Sequence, residues 1–352
     1  MRMLVHARNM TIACEGDRLC APEGCFDLVL DCHEADVRPG LINCHEHLHR
    51  NHYGRLGKPP YRNAAQWAHD IQRRHRRRIA TGRKLPRRAA YLAGAWKNLF
   101  AGVTSVVHHD AWDDDLARDL PLRVVRVAND DSVALTPNLG ATRKKGSPYA
   151  LHLAEGIDEQ AAREVDTIAL AGLLDRHLLA VHAVGPGEDG LERLRRSGAA
   201  LVWCPSSNCY LFGRTAPESL FAGGNDVLLG SDSLLTGAGN LLDEIGFARR
   251  TGMLDDERLE SAVGTSAARR LGLPTPTLEP GAPADFVLLT APLLEASARH
   301  VWLVVCGGAP RVAASEAARQ IEAAGIAGTP VTVGGVTRWS SQLSGPLKRG
   351  SQ

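Results

Sequence analysis

Apolar and polar positions change period twice along this chain. Up to about residue 36, short apolar stretches such as Cys25-Phe26-Asp27-Leu28-Val29-Leu30 alternate with turn residues, the pattern of strands in a small sheet. From about residue 37, strand-length apolar runs alternate with segments of helical period, the signature of parallel β/α architecture. The runs Val37–Asn43, Thr104–Asp110, Arg123–Asn129, Ser132–Thr136, Tyr149–Leu153, Leu178–Val184, Ala200–Cys204 and Asp226–Asp232 predict eight strands, although Asn, Pro and Gly crowd the fourth. Eight such units predict an α/β fold, a (β/α)₈ TIM barrel over residues 37–279. Short strand patterns return at Asp285–Leu289, Val301–Cys306 and Pro330–Val333. Residues 1–36 and 280–352 are therefore expected to form one small composite β-sheet domain from both chain ends. The polar, Gly- and Ser-containing residues 336–352 are expected to be partly disordered.

The long connection between the first and second strands, about residues 50 to 100, predicts two helices, Ala65–Arg78 and Arg88–Phe100. The first carries Arg73, Arg74, Arg76, Arg77 and Arg78, followed by Arg83, Lys84, Arg87 and Arg88. Such a run reads as a solvated helix face. The sharper alternative is an electropositive rim that attracts an anionic substrate or an acidic partner.

Composition narrows the classes. The chain has 352 residues, 44% of them hydrophobic, and Lys+Arg 41 against Asp+Glu 39 gives a formal charge of +2. That near-balance argues against a nucleic-acid partner. With no bilayer-length apolar run and no clear signal-peptide core, neither membrane insertion nor export is expected. The eight cysteines are scattered without paired CxxC spacing, which suggests reduced thiols and a cytoplasmic location.

Candidate chemistry collects at the C-terminal ends of the predicted strands, where barrel enzymes build their sites. The first strand ends in His45-Glu46-His47. Residues two apart on a strand point the same way, so His45 and His47 can converge on one metal position. Cys44 then points away and packs. His152 ends the fifth strand and can supply a third nitrogen, with Glu155 three residues on in position to shuttle protons. His182 lies in an otherwise apolar sixth strand and Asp232 ends the eighth. Taken singly, each has a structural reading as a core hydrogen bonder or helix cap. Their recurrence on successive strands favours a site. One of His108 and His109 must point inward at the end of the second strand and is a candidate substrate contact. His49 and His52 are further candidates. Trp112 and Tyr210 could stack on a planar ring, with structural packing the default for both. Ser206 and Ser207 lack a nucleophile elbow.

With these residues assembled, the chain resembles the amidohydrolase superfamily, in the branch containing cytosine deaminase, guanine deaminase and the triazine chlorohydrolases. The resemblance rests on Pro39–His47, His152-Leu153-Ala154-Glu155, His182, Cys204-Pro205-Ser206-Ser207-Asn208, Gly230-Ser231-Asp232, Gly264–Gly272 and Leu278–Asp285, and spans residues 37–290. It implies one divalent metal ion, Zn2+ or Fe2+, held by His45, His47, His152 and Asp232. A second, lysine-bridged metal is not implied, because no lysine ends the fourth strand. Glu155 and His182 would be catalytic, and Asp232 would double as proton acceptor. Asn208 would touch substrate. The implied activity is hydrolytic deamination of an aminated N-heterocycle: a purine, pyrimidine, pterin or triazine-like ring. Opening of a cyclic amide, as in imidazolonepropionase, or displacement of chloride would use the same residues. A non-catalytic barrel scaffold fits poorly with a full set of candidate ligands. Similar proteins are often homodimers.

Overall fold

The computed structural model describes residues 1–113, 120–222 and 224–341. Two parallel sheets carry the chemistry. Leu41–Glu46, Val103–His108 and Arg123–Val125 form the first. Ala128–Ser132, Tyr149–Leu153, Leu178–His182, Ala200–Trp203 and Val227–Leu229 form the second, side by side in chain order. Just past the last strand, the Asp232 N–H donates to the His45 carbonyl at 3.1 Å, so the end of the second sheet meets the start of the first. Strands such as Leu41–Glu46, Tyr149–Leu153 and Leu178–His182 are buried at every position. That explains their near-continuous apolar runs, since parallel strands are covered on both faces.

The connecting helices form where caps and apolar spacing agree. Glu159–Leu170 starts at Asp158, whose side chain accepts from the Ala161 N–H, and buries Ala161, Val165 and Ile168. Leu241–Thr251 opens with a capping box between Asn240 and Asp243 and ends at Gly252, in the left-handed region at φ 69°.

Several predicted boundaries shift for identifiable reasons. The expected strand Val37–Asn43 is two strands. Asp36–Pro39 pairs antiparallel with Phe286–Leu289, and the parallel strand begins only at Leu41. Gly40 marks the change of sheet, where a Cβ would lie 2.2 Å from Thr104 Oγ1. The expected third strand, Arg123–Asn129, also divides. Its first part ends at Val125, and Ala128–Ser132 is the fourth strand, so residues 133–136 fall in a turn region rather than in a strand. The insertion holds three helices, Ala64–Arg74, Arg76–Gly82 and Arg87–Leu99, with the first run broken at His75. Arg73, Arg74, Arg76, Arg77 and Arg78 are exposed, and Arg73 and Arg74 pair with Asp70.

Both chain ends contribute strands outside these parallel sheets. Arg2–Ala7, Thr11–Glu15, Arg18–Cys20 and Leu28–Cys32 make a four-stranded sheet. A six-stranded sheet combines Asp36–Pro39 with Phe286–Leu289, Val301–Cys306, Ala309–Ala313, Gly328–Val333 and Val336–Ser341. The two share one core, in which Met3, Val5 and Leu30 pack with Phe286, Trp302 and Trp339. Of the segment expected to be partly disordered, Val336–Ser341 is a strand, and 342–352 lie outside the described residues. Among the described residues no helix is long and apolar enough to cross a membrane.

Candidate active site

The strand alternation that aims His45 and His47 together is realised. Their rings meet edge-on with centroids 5.0 Å apart. His45 Nε2 lies 3.8 Å and His47 Nε2 3.7 Å from Asp232 Oδ1, and His152 Nε2 lies 3.3 Å from His45 Nε2. His182 joins the same cluster, since His45, His182 and Asp232 offer atoms within 4.8 Å of one another. Backbone conformation helps place them: His182 has φ 71° and Asp232 φ 50°, a region costly for side chains other than glycine. Gly230 lets the last strand approach the first, because a Cβ there would sit 2.5 Å from that of His45.

The outer nitrogens fix which way each ring presents its lone pair. His47 Nδ1 is 2.6 Å from Asp110 Oδ2, His182 Nδ1 is 2.8 Å from Asn208 Oδ1, and His152 Nδ1 lies against the Asp131 carbonyl oxygen. Asn208 is oriented by its own contacts, its amide nitrogen reaching Thr215 Oγ1 at 3.2 Å. Each outer partner is an acceptor, so each Nδ1 carries the hydrogen and, in the neutral ring, each Nε2 presents a lone pair inward. The Nε2 atoms of His45 and His152 lie 3.3 Å apart, and His45 Nδ1 is buried without a partner. Buried lone pairs converging on a carboxylate fit a divalent cation.

The electrostatics agree. Burial, together with the neighbouring imidazoles, holds His45 and His109 well below the usual histidine range. Burial likewise lowers His182 to about 4. Neutral imidazoles are what a metal requires. At His152 burial also lowers the value, but Asp131, Glu155 and Asp232 outweigh it and favour a positive charge at this spot. For Asp232, burial opposes ionisation. His47, His182 and the hydroxyls of Ser207 and Thr236, each 2.8 Å from Oδ2, overcome it and keep the carboxylate ionised. Glu155 is pushed up to about 7, mainly by burial, and its Oε1 lies 3.5 Å from His182 Nε2. Two carboxyl groups on one cavity are thus set to opposite protonation states near neutrality. The cavity, of ≈ 130 Å³, is also lined by Arg50 and Trp67, Ser132, and Gln160 and Glu164 of the helix after Glu155.

The suggested substrate contacts divide between this cluster and its surroundings. Asn208 is fully buried behind His182 and orients it. His109 is the inward member of its pair, but its ring stacks on His152 with centroids 4.0 Å apart and its Nε2 reaches the Asp130 carbonyl. His109 therefore belongs to the imidazole cluster. His108 accepts from the Leu48 N–H and bonds the Tyr91 hydroxyl. Trp112 lines a separate recess beside His109 and Asp110, under the Arg126 guanidinium. His49 stacks on Tyr91, His52 bonds the Gly82 carbonyl, and Tyr210 lies beneath Arg55. Cys44 packs in the core with Ile42 and Val107, as alternation requires. The pairings of Ser207 and Thr236 with Asp232 and of Asp110 with His47 are not displayed by the sequence, because the partners are 25, 4 and 63 positions apart.

Comparison with known proteins follows this geometry. No family model matches the chain. Over 129 residues it is 35% identical to an aminodeoxyfutalosine deaminase of Deinococcus radiodurans, covering 36% of this chain and 30% of that protein. Over 168 residues it is 28% identical to a 5-methylthioadenosine/S-adenosylhomocysteine deaminase of Halobacterium salinarum, covering 43% and 39%. The matches thus span well under half of these relatives. An adenosine deaminase from Xanthomonas campestris, solved with bound zinc, superposes with a TM-score of 0.64 at 16% identity over 92% of this chain and 96% of that one. The curated matches are thus to deaminases over part of the chain, and at 16% identity the solved structure shows the likeness of the fold. The imidazole and carboxylate cluster lies on the residues that carried the superfamily resemblance, and it is able to hold a metal ion.

Proposed function

We propose that this chain is a member of the amidohydrolase superfamily, a metal-dependent enzyme that hydrolytically deaminates an aminated N-heterocycle, a purine, pyrimidine, pterin or triazine-like ring. The observation that carries the reading is Glu155. It is a mostly enclosed carboxyl group pushed up to about 7 by desolvation, beside His182 and across the cavity from an ionised Asp232. In this reading His45, His47, His152 and Asp232 hold a single zinc ion within a closed (β/α)₈ barrel over residues 37–279. Residues 1–36 and 280–352 form the small composite domain. A divalent ion bound there lowers the pKa of water towards neutrality, to about 7 in favourable zinc sites.

The chain's own groups supply the rest. Asp232, ionised, accepts the proton of the attacking water through the oxygen not committed to Ser207 and Thr236. His182, neutral and fixed by Asn208, turns its Nε2 lone pair to that water and orients it. Glu155, protonated, gives its proton to a ring nitrogen next to the carbon under attack, which makes that carbon more electrophilic. Asp232 then returns its proton to the leaving amine, the C–N bond breaks and ammonia departs, and the proton left on the added oxygen passes back to Glu155 as the carbonyl forms. Trp67 and the alanines of helix Ala64–Arg74 close the apolar side over the ring.

Ammonia release from a panel of aminated heterocycles by zinc-loaded protein, with product masses, tests the proposal. Release with replacement of an amino group by oxygen supports it. Products one water heavier, with no ammonia, would instead establish ring opening.

A further inference from the structure

We propose that Asp110 is a positioning residue for the metal site, its carboxylate holding the His47 imidazole so that Nε2 is the atom offered to the ion. This rests on the reading of His47 as a ligand.

Asp110 leaves the strand next to that of His47, two residues after Val103–His108 ends. The backbone sets the register: the His109 N–H donates to the Glu46 carbonyl at 2.9 Å, which brings Asp110 level with His47. Oδ2 then lies 2.6 Å from His47 Nδ1, while Oδ1 accepts from Arg50 Nη2 at 2.5 Å. Arg50 thereby fixes the carboxylate's rotation as well as its charge. His152 and His182 rest on a peptide carbonyl and an amide oxygen, both neutral. His47 differs in making its short bond to a carboxylate, since the Asp131 carboxylate oxygen stands 3.4 Å from His152 Nδ1. An ionised acceptor makes a stronger bond and leaves the opposite nitrogen a better donor to a metal. His49, His108 and Asp110 also approach one another closely. A second cation among them is disfavoured, because Arg50 already occupies one Asp110 oxygen and His108 is bonded on both nitrogens.

The test is zinc affinity, measured by chelator competition on apoprotein of the wild type, Asp110→Ala and Asp110→Asn, with apoprotein melting temperatures alongside. We expect Asp110→Ala to weaken zinc binding by roughly 10–100-fold at an unchanged melting temperature. Asp110→Asn keeps an oxygen without the charge and should fall between the two. Should Asp110→Ala melt early, the isosteric Asn variant decides alone. Nitrogen-15 spectra of histidine-labelled apoprotein, with His47 assigned by its own variant, should show the Nδ1–H tautomer in the wild type and its loss in Asp110→Ala. Wild-type affinity in a stably folded Asp110→Ala, or in Asp110→Asn where that variant decides, would overturn the inference. A wild type that takes up no zinc would overturn the reading beneath it as well.

Discussion

Replacing Lys97 by Met should destabilise the protein more than most single substitutions. Lys97 lies on the helix Arg87–Leu99, with its side chain 3% exposed and that of Glu46 fully buried. Its Nζ is 2.7 Å from Glu46 Oε2 and also 2.7 Å from the Asp232 carbonyl oxygen. At 2.7 Å the pair's attraction is about 6 kcal/mol at an effective dielectric of ~20. Much of that offsets the desolvation of two ions, so the pair as a whole adds little. Removing one partner is different, because the desolvation of the other then stands uncompensated, at a cost of roughly 3–5 kcal/mol. Glu46 keeps bonds from Asn98 at 3.1 Å, Asn51 at 3.2 Å and Ser231 at 3.3 Å. These place the loss near the lower end, about 3 kcal/mol. Urea unfolding of Lys97→Met and of Lys97→Met/Glu46→Gln measures it. The double variant should recover part of the loss, since it leaves no buried charge unpaired and its one amide oxygen can still accept from Asn98, while its NH2 takes the place of the oxygen that accepts from Asn51. A loss in Lys97→Met no larger than about 0.5 kcal/mol, the scale of ordinary surface substitutions, would refute the reasoning.

Three further outcomes follow from the site. Glu155→Gln should lower kcat by roughly 10²–10⁴-fold while leaving zinc content unchanged, and near-wild-type turnover would remove Glu155 from proton transfer. Asn208→Ala should lower kcat with little change in KM, because Asn208 orients His182 from behind. A rise in KM alone would instead make it a substrate contact. Glu244, fully buried against the Ser206 N–H, has its pKa pushed from 4.5 up to about 7, mainly by burial. The folded state thus keeps a proton that the unfolded state releases, so this contribution is full below about pH 4.5 and is lost as pH rises through about 7. The stability of Glu244→Gln between about pH 5 and pH 8 should therefore fall by about 3 kcal/mol less than that of the wild type, and parallel pH profiles would contradict the assignment.

Much of this arrangement was legible in the chain because it depends on short-range periodicity. Alternation alone aimed His45 and His47 together and turned Cys44 into the core. Apolar runs located seven of the eight parallel strands in their order along the chain. Periodicity failed where two strands touch end to end. Val37–Asn43 reads as one apolar run, and only the approach of Thr104 to Gly40 shows that the chain changes sheets there. The third and fourth strands merge for the same reason, with only Arg126 and Val127 between them. Long-range pairing was the other limit. Asn208 was a candidate substrate contact through the resemblance, and the helix Pro205–Phe212 turns it towards His182. The pairing of Asp110 with His47 depends on strand register, which the sequence does not display.

The most direct measurement of the central claim is ammonia release as apoprotein is titrated with zinc, for the wild type and for Asp232→Asn. We expect wild-type release to rise from baseline and level off near one equivalent per chain, while Asp232→Asn stays at baseline throughout. Release by rigorously metal-free protein, or undiminished release by Asp232→Asn, would contradict a reaction built on these imidazoles and this carboxylate.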